Sequence, residues 1–419
     1  MSQSETTVSN QTNPPVWKGS KAEIKISRFI MDADLDPEIK EALQNSDQIL
    51  AVEMIKKLLD KQNNTPVNIA VTGESGSGKS SFVNAFRGLD NRDEGAAPTG
   101  CVETTREVTE YPHPNYPNVT LWDLPGIGTT KFPADKYLEH VGLEKFDFFI
   151  IVSATRFREN DVKLAQEIQK MGKRFYFVRS KIDSDLQNEE RSQREFDREK
   201  TLIKIRENCI QGLQKEGFES PQVFLVSSFQ LHEFDFSLLQ ETLERELPEH
   251  KRKALLFAMP IVNLRVIEKK KKAFMSQIKY YALGSAAGAT VPVPGLSLAV
   301  DVGILVATIT QYVFGFGLDV STMKKLAVRS GVPYDDLVKV VHSHLSAKQI
   351  TEDLVLKVLA SLAGTAALLA IEEGTRFIPL VGIPIAMGLS SFTTYRALQF
   401  FLNELAEDAE RVFKRVTSE

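Results

Sequence analysis

The chain has 419 residues, of which 42% are hydrophobic and 25% charged, a composition typical of a folded globular protein. Its length predicts two domains or one elaborate domain, because single hydrophobic cores stop growing at about 250–300 residues. A net charge of −4 and an isoelectric point near 6.0 exclude a general electrostatic attraction to nucleic acid. The two cysteines, Cys101 and Cys209, are too few for a disulfide framework, so a reducing compartment is expected.

The N-terminal region is predicted to change character near residue 20. Residues 1–20 are polar and predict a disordered tail, whereas residues 21–62 predict helices that precede the first strand. In that second stretch, apolar side chains recur at helical spacing among charges: Leu43, Ile49, Leu50, Ile55, Leu58 and Leu59. One or two amphipathic helices are therefore expected, and the C-terminal half of the chain is the candidate for the surface that covers them.

Residues 63–247 alternate between strand-like and helix-like segments, which is the pattern of an α/β domain. Helices are predicted from about Lys79, over Asp161–Met171 and over Asp197–Lys215. Six apolar or alternating segments predict strands: Val67–Thr72, Val102–Glu110, Val119–Asp123, Phe146–Val152, Phe175–Val178 and Val223–Val226. The alternation stops near Pro248, and residues 248–419 predict a helical domain.

The segment Gly73–Ser80 has the pattern G-x-x-x-x-G-K-S between a predicted strand and a predicted helix, which is the context of a phosphate-binding loop. Its glycines let main-chain N–H groups point inward, and the helix N-terminus adds the positive end of a dipole. Lys79 is predicted to contact the β- and γ-phosphates and to take part in catalysis, and the Ser80 hydroxyl to bind Mg²⁺. The residues predicted to hold the nucleotide here are Gly73, Glu74, Ser75, Gly76, Ser77, Gly78, Lys79, Ser80 and Ser81.

Two further motifs at strand ends predict which nucleotide binds. In the D-x-x-G motif, Asp123 can hold Mg²⁺ through water and the Gly126 N–H can bond the γ-phosphate. In the K-x-D motif, Asp183 can accept two hydrogen bonds from guanine that adenine does not offer, and the stem of Lys181 would lie over the base. Ser227 and Ser228, after the last strand, would lie behind the guanine oxygen. Together the motifs predict GTP and GDP with Mg²⁺, and Asp183 sets an ATP-using protein aside.

The C-terminal half contains two charge-free segments of about the length that a bilayer needs, Tyr280–Val300 and Phe377–Tyr395. Each is interrupted by prolines and glycine, and a third apolar run covers Val358–Ile371. Two interpretations stay open: a soluble helical bundle, favoured because the breaks divide the segments, or a hairpin that inserts in or lies on a membrane. The run Lys269–Lys272 would suit anionic headgroups in the second interpretation, and is otherwise a solvated helix face.

Residues from about 35 to 275 resemble the immunity-related, or interferon-inducible, GTPases. The resemblance depends on five long strings: GESGSGKS at 73–80, GAAPTG at 95–100, WDLPGIGTT at 122–130, FDFFIIVSATRF at 146–157 and FYFVRSKIDSDL at 175–186. It implies a Ras-like α/β P-loop GTPase domain, with a mixed sheet flanked by helices, plus an all-α domain built from N- and C-terminal helices. Lys79 places the chain with the conventional effectors of the family. The sequence departs from the family at Ser180, where Thr or Asn is usual, and in the apolar region after about residue 276.

The residue after the D-x-x-G glycine is Ile127, which has no polar atom to orient an attacking water. The resemblance implies that a second molecule docked over the nucleotide supplies this help, and motif mapping gives Glu103 as the catalytic candidate. The alternative is that Glu103 is a solvated charge on an edge strand. Thr99 is the first choice for the switch threonine that binds Mg²⁺, and Thr104 and Thr105 are its rivals. Arg156 and Arg158 are expected to be solvated rather than arginine fingers.

The resemblance further implies a cytoplasmic, self-associating GTPase, partly bound to intracellular membranes, that acts in cell-autonomous defence at vacuoles holding pathogens. Its expected partners are a second copy bound through the GTPase domain, related GTPases and an intracellular membrane surface. The alternative function is a slow GTP-dependent binding switch or scaffold with negligible turnover and a non-immune role.

Overall fold

The computed structural model describes residues 35–45, 47–100, 107–125, 142–155, 159–288, 296–360 and 391–417, and the structural statements below refer to these residues. Two compact units are formed, each from three parts of the chain. The first comprises Met1–Asp60, Met275–Thr308 and Glu352–Phe400, and the second comprises Lys61–Phe274, Ile309–Thr351 and Phe401–Glu419. The predicted domain boundaries after residues 20, 62 and 247 stay predictions.

The second unit contains a six-stranded mixed sheet with the strand order β2-β3-β1-β4-β5-β6. Only β2 runs antiparallel to its neighbour, and the other pairs are parallel. All six side chains of β4 are buried, as expected for an apolar central strand covered on both faces. The strands are β1 Val67–Thr72, β2 Thr109–Pro112, β3 Val119–Asp123, β4 Phe148–Ser153, β5 Phe175–Arg179 and β6 Val223–Leu225. This mixed sheet with flanking helices confirms the predicted fold class.

The predicted strand Val102–Glu110 has the wrong bounds. The observed strand begins at Thr109 and ends at Pro112, so Glu107 and Val108 precede it, and residues 102–106 lie outside the described residues. The period-2 alternation does not fix where an edge strand starts, because only pairing with β3 decides which residues join the sheet.

Helices make up most of the other described residues. Local capping explains several of their starts: Asp36, Asp197 and Asp319 each accept a hydrogen bond from a main-chain N–H of the first turn that follows. The helices are α1 Pro37–Gln44, α2 Gln48–Asn64, α3 Lys79–Phe86, α4 Glu159–Lys170, α5 Ile182–Ser192, α6 Arg198–Lys215, α7 Phe236–Glu246, α8 Glu249–Ala258, α9 Leu264–Gly288, α10 Leu296–Gly315, α11 Val320–Ser330, α12 Tyr334–Lys339 and α13 Ser391–Thr417. Leu143–Lys145 form a short 3₁₀ helix, and residues 352–360 are also helical.

Alternation along β1 divides the core of the sheet between its two faces. Ile69 and Val71 belong to a buried cluster with side chains of α3, α7 and α8, while Ala70 belongs to a cluster with side chains of α4 and α6. Cys209 of α6 is buried in the second cluster, and burial raises the pKa of its thiol to about 11. The sheet is therefore rigidly covered, and its strand ends carry the polar residues described below.

In the first unit, the N-terminal helices α1 and α2 pack on α9. Ile39, Leu43 and Ile55 form one apolar cluster with Tyr280, whose hydroxyl accepts a hydrogen bond from the Asp36 N–H at 3.3 Å. The N-terminal helices thus bury most of their predicted apolar face against a C-terminal helix, whereas Ile49 and Leu50 of that face are exposed.

The predicted apolar segments are described only in part, since residues 289–295, 361–371 and 377–390 lie outside the described residues. Among those described, one stretch, Val302–Ser330, is long and apolar enough to cross a membrane, with a mean hydropathy of 1.4 in a window that is 56% buried within the protein. A turn at Phe316–Asp319 divides it into α10 and α11. By length and composition alone this resembles a core helix as closely as a membrane span.

Both interpretations of Lys269–Lys272 are wrong for Lys270. Its side chain is buried, and its ammonium group donates to the carbonyls of Phe257, Met259 and Gly315 at 3.1, 2.7 and 2.7 Å. Lys269 and Lys272 form ion pairs with Glu244 and Glu268. The run of four lysines is therefore not one exposed basic face, because α8 and α10 cover one side of the helix that carries it.

Candidate nucleotide site

The phosphate loop follows β1 and has a backbone that only glycine fits at its first position. Gly73 has φ of 135°, and a Cβ there would lie 2.1 Å from the carbonyl oxygen of Val152. Gly78 has φ of 94° and stands immediately before α3. The loop therefore passes directly over β4 and brings the N-terminus of α3 to the end of the sheet.

Lys79, the first residue of α3, and Ser77 within the loop are both buried. Lys79 is only 6% exposed, and its ammonium group donates to the Glu74 carbonyl at 2.9 Å. Ser77 within the loop has a buried hydroxyl that meets no hydrogen-bond partner in the described part of the chain. A buried polar atom of this kind, beside a helix N-terminus and a buried ammonium group, fits a phosphate better than a closed protein loop.

Ser80 and Asp123 form the centre of the predicted magnesium site. The Ser80 hydroxyl donates to a carboxylate oxygen of Asp123 at 2.6 Å, and both side chains are buried. Parallel pairing of β1 with β3 places Asp123 beside Val71, so the carboxylate emerges at the same sheet edge as the phosphate loop. A hydroxyl and a carboxylate are the hard oxygen donors that Mg²⁺ takes in proteins, so the residues fit this ion.

The K-x-D loop is joined to the phosphate loop by side chains. Ser180 donates from its hydroxyl to the Ser77 carbonyl at 2.6 Å and lies 3.2 Å from the Ser153 carbonyl. Lys181 has φ of 57° and donates to the Gly76 carbonyl at 2.8 Å. Asp183 follows in the first turn of α5 and is half-buried. The small Ser180 thus keeps its hydroxyl in contact with the phosphate loop, although the sequence departs from the family there.

The serines after β6 have different surroundings. Ser227 is fully buried, and its hydroxyl accepts hydrogen bonds from the N–H groups of Phe229 and Gln230, both at 3.2 Å. Ser228 is half-buried. Ser227 therefore shapes the loop, and Ser228 is left as the side chain able to face a base. A pairing of the Ile182 N–H with the Val226 carbonyl connects this loop with the K-x-D loop.

Sequence reasoning missed two residues that hold the loop before Thr99, namely Asn84 of α3 and Arg87 directly after that helix. The buried amide of Asn84 accepts from the Ala97 N–H at 2.6 Å and donates to the Ala97 carbonyl at 2.9 Å. Arg87 donates to the carbonyls of Gly95 and Pro112, and burial lowers the pKa of its guanidinium. The available signal was the presence of polar residues, Asn84 and Arg87, within and directly after a helix whose other residues are mainly apolar.

The remaining predicted residues divide by position. Glu74 and Ser81 are half-buried, Ser75 and Gly76 are exposed on the phosphate loop, and Thr99 is exposed. Thr99 as a Mg²⁺ ligand stays a prediction. The other predicted residues lie outside the described residues: Glu103, Thr104, Thr105, Gly126, Ile127, Arg156 and Arg158.

Comparison with known proteins extends over almost the whole chain. A family model described as "Interferon-inducible GTPase (IIGP)" matches residues 34–416. "Interferon-inducible GTPase 5" of Rattus norvegicus is 41% identical over 376 residues, which cover 89% of this chain and 81% of that protein. "Interferon-gamma-inducible GTPase 10" of Mus musculus is 36% identical over 402 residues, covering 95% and 92%. The family match spans the phosphate loop, the K-x-D loop and the C-terminal helices.

Proposed function

Because the chain belongs to the interferon-inducible GTPase family, we propose that it is a GTPase whose hydrolysis is completed when two copies associate over the bound nucleotide. The family relation makes the chain a GTP-hydrolysing enzyme with GTP, GDP and Mg²⁺ as its ligands. The dependence on self-association, the membrane and the defence role are the proposal.

The observation that supports the proposal is that the described residues of the phosphate loop have a buried floor and an exposed rim. Lys79, Ser80 and Asp123 are buried beneath the loop, whereas Ser75, Gly76 and Lys181 on its rim are exposed. The residue after the D-x-x-G glycine is Ile127, which offers no polar atom to a water molecule. Another group must then orient this water, and a second copy is the source that we propose.

The chain's own residues perform the binding part of the reaction. Lys79 and the N–H groups at the start of α3 neutralise the β- and γ-phosphates. Mg²⁺, held by Ser80 and Asp123, would add charge neutralisation at the phosphate oxygens. Asp183 would read the guanine edge. Lys181 lies along the phosphate loop, and its stem would cover the face of the base. Glu103, which lies between Thr99 and β2 in the sequence, is the proposed catalytic residue that acts across the pair.

We propose in addition that the protein is cytoplasmic and acts partly at intracellular membranes, at vacuoles that hold pathogens. The names of the relatives, which describe interferon-inducible proteins, support a defence role. Related GTPases are further candidate partners in this proposal.

The test is GTP hydrolysis per molecule across a wide range of protein concentration. We expect the specific activity to rise with concentration, and a Glu103→Ala variant to stay low and flat. Glu107→Ala is the matched control, because Glu107 is an exposed glutamate of the same segment. Specific activity that is low and independent of concentration would overturn the proposal.

The second candidate function is a slow GTP-dependent switch or scaffold with a non-immune role. Ile127 favours it for the isolated molecule, for the reason given above. In that case, GTP and GDP would change the binding of a partner while turnover stayed negligible at every concentration.

A further inference from the structure

A cavity with a volume of about 480 Å³ lies in the unit that contains the sheet, away from the phosphate loop, whose residues do not line it. Its walls come from the β2–β3 turn, the end of α3, the end of α8 and the helices α9, α11 and α13. We propose that this cavity binds an amphiphilic organic anion, one carboxylate or phosphate group on an apolar body. This inference goes beyond the proposed function and does not depend on it.

Positively charged side chains outnumber carboxylates around the cavity. Arg87, Lys325 and Arg329 line it, against two carboxylates, Glu233 and Asp319. Lys270 lines it too, but three main-chain carbonyls already satisfy its ammonium group. Glu233 already pairs with Arg198. An added anion would reduce this imbalance, and the low dielectric of a cavity makes such an interaction strong.

Most of the cationic side chains around the cavity donate to main-chain carbonyls rather than to carboxylates. Arg87, Lys270 and Arg329 donate to main-chain carbonyls, and none of the three forms an ion pair within the described part of the chain. Lys325 pairs with Asp93 at 3.5 Å, and Asp90 and Asp93 lie near Arg329. Burial, Lys270 and Arg87 together lower the pKa of His113 to about 3, so its imidazole is neutral at pH 7 and adds no further positive charge. Arg87, a buried cation that pairs with no carboxylate in the described part of the chain, is therefore positioned to receive an anionic group.

Apolar and aromatic side chains form much of the remaining wall of the cavity. Tyr116 and Phe257 stack with ring centroids 6.3 Å apart, and Leu326, Val412 and Phe413 also line the cavity. Phe229, which is 66% exposed, lies at its edge, so the cavity opens to solvent. A volume of this size lies within the range of small-molecule sites, about 300–1,000 Å³. A bare inorganic anion would leave these apolar surfaces uncovered.

Arg87 connects this cavity with the nucleotide site. Its guanidinium lines the cavity and also holds the Gly95 carbonyl of the loop before Thr99, as well as Pro112 at the end of β2. An anion that attracts Arg87 would compete with these carbonyls. Occupancy should therefore alter the rate of GTP hydrolysis, as a second measurement beside binding itself.

The test is calorimetric titration of the unmodified, full-length protein bound to GDP with four probes: decanoate, decyl phosphate, 1-decanol and inorganic phosphate. We expect decanoate or decyl phosphate to bind about tenfold more tightly than both 1-decanol and inorganic phosphate, because one charge-assisted hydrogen bond is worth about that factor. Tighter decanoate indicates a fatty-acid-like ligand, and tighter decyl phosphate a phospholipid-like one. Equal binding of 1-decanol or of inorganic phosphate, or binding of none of the probes, would overturn the proposal.

Two variants place the ligand in this cavity. Lys325→Met should weaken the preferred anion by about tenfold, and Leu326→Trp should fill the cavity and abolish binding. Lys324→Met is the matched control, since Lys324 is an exposed lysine of the same helix that does not line the cavity. If Lys324→Met weakens the anion as much as Lys325→Met does, binding lies elsewhere and the inference is wrong.

Discussion

The phosphate loop and the junction of α8, α9 and α10 each bury one lysine against main-chain carbonyls, yet they use it in opposite ways. Lys79 stands at a helix N-terminus, beside N–H groups that point to the same space, and one of its contacts is the Glu74 carbonyl at 2.9 Å. Lys270 stands at the C-terminal ends of α8 and α10, where three carbonyls surround its ammonium group. A helix N-terminus with a cation attracts an anionic ligand, whereas C-terminal carbonyls satisfy the cation themselves. The polarity of the neighbouring helix ends, and not burial alone, separates a ligand-binding lysine from a structural one.

The substitution Lys79→Ala tests whether the lysine at the helix N-terminus binds the nucleotide. We expect affinity for GTP to fall by about 100-fold or more, because hydrogen bonds to charged groups are worth about 1.5–3 kcal/mol each and Lys79 contacts two phosphates. Titration with a fluorescent GTP analogue measures the loss. Lys170→Ala, at an exposed lysine of α4, is the control, and Lys270→Met should also keep full affinity. Unchanged GTP affinity in Lys79→Ala would remove the phosphate-loop assignment.

Asp183→Asn tests the base-reading side of the same site. We expect the preference for GTP over xanthosine triphosphate to fall by about tenfold or more, since the amide donates where the carboxylate accepted. Competition between the two nucleotides for the protein measures it. Glu190→Gln on the same helix is the matched control, because that side chain is exposed. A variant that keeps the full preference for GTP would show that another group reads the base.

Lys270→Met tests the structural lysine through pH. Burial lowers the pKa of Lys270 to about 7 in the folded protein, against 10.5 for an ordinary lysine. Between these values the unfolded chain binds a proton that the folded chain lacks, so raising the pH stabilises the folded state. The free energy of unfolding of the unmodified protein, relative to Lys270→Met, should rise by about 1.4 kcal/mol per pH unit between about pH 7 and 10.

Denaturant unfolding at several pH values measures this difference. Lys271→Met is the control from the adjacent position, where the side chain is half-buried, and it should show no such slope. A flat difference for Lys270→Met would mean that its three carbonyls keep the ammonium group charged throughout this range.

The smallest expected effect is that of Asn84→Ala. Losing both hydrogen bonds to Ala97 should free the loop before Thr99 at a cost of about 1–3 kcal/mol, so kcat should fall several-fold while GDP affinity is retained. Single-turnover hydrolysis and GDP titration separate the two quantities. Asn118→Ala is the matched control, since Asn118 makes a similar bond to the Thr65 carbonyl in another loop. Equal losses in kcat and GDP affinity would indicate general damage rather than a loose loop.

The features predicted correctly from the sequence are those that local chemistry determines. Gly73 requires a backbone that other residues cannot adopt, and the apolar runs of β1 and β4 determine a buried sheet, so the fold class is confirmed. The convergence of Ser80 and Asp123 follows from parallel strands whose carboxyl ends share one sheet edge. The roles of these residues as ligands stay predictions.

Features that depend on distant partners were not predictable from local pattern. The sequence of four consecutive lysines does not show which of them is buried. Lys270 is buried because α8 and α10 pack against it. Asn84 is likewise an ordinary helix residue until Ala97, thirteen positions later, folds back on it. The predicted start of this strand at Val102 was wrong for the same reason, because pairing with β3 sets the observed start at Thr109.

The two outer strands of the sheet limit how copies of the protein can join. β2 has four residues and ends in Pro112, which has no main-chain N–H to donate, and β6 has only three residues. Short or proline-terminated borders offer a poor template for strand addition from another chain. Continuous intermolecular sheets, and the β-aggregation that follows from them, are thereby disfavoured even in concentrated protein. The assembly that we propose would therefore use loops and helices, where a bound nucleotide could control it.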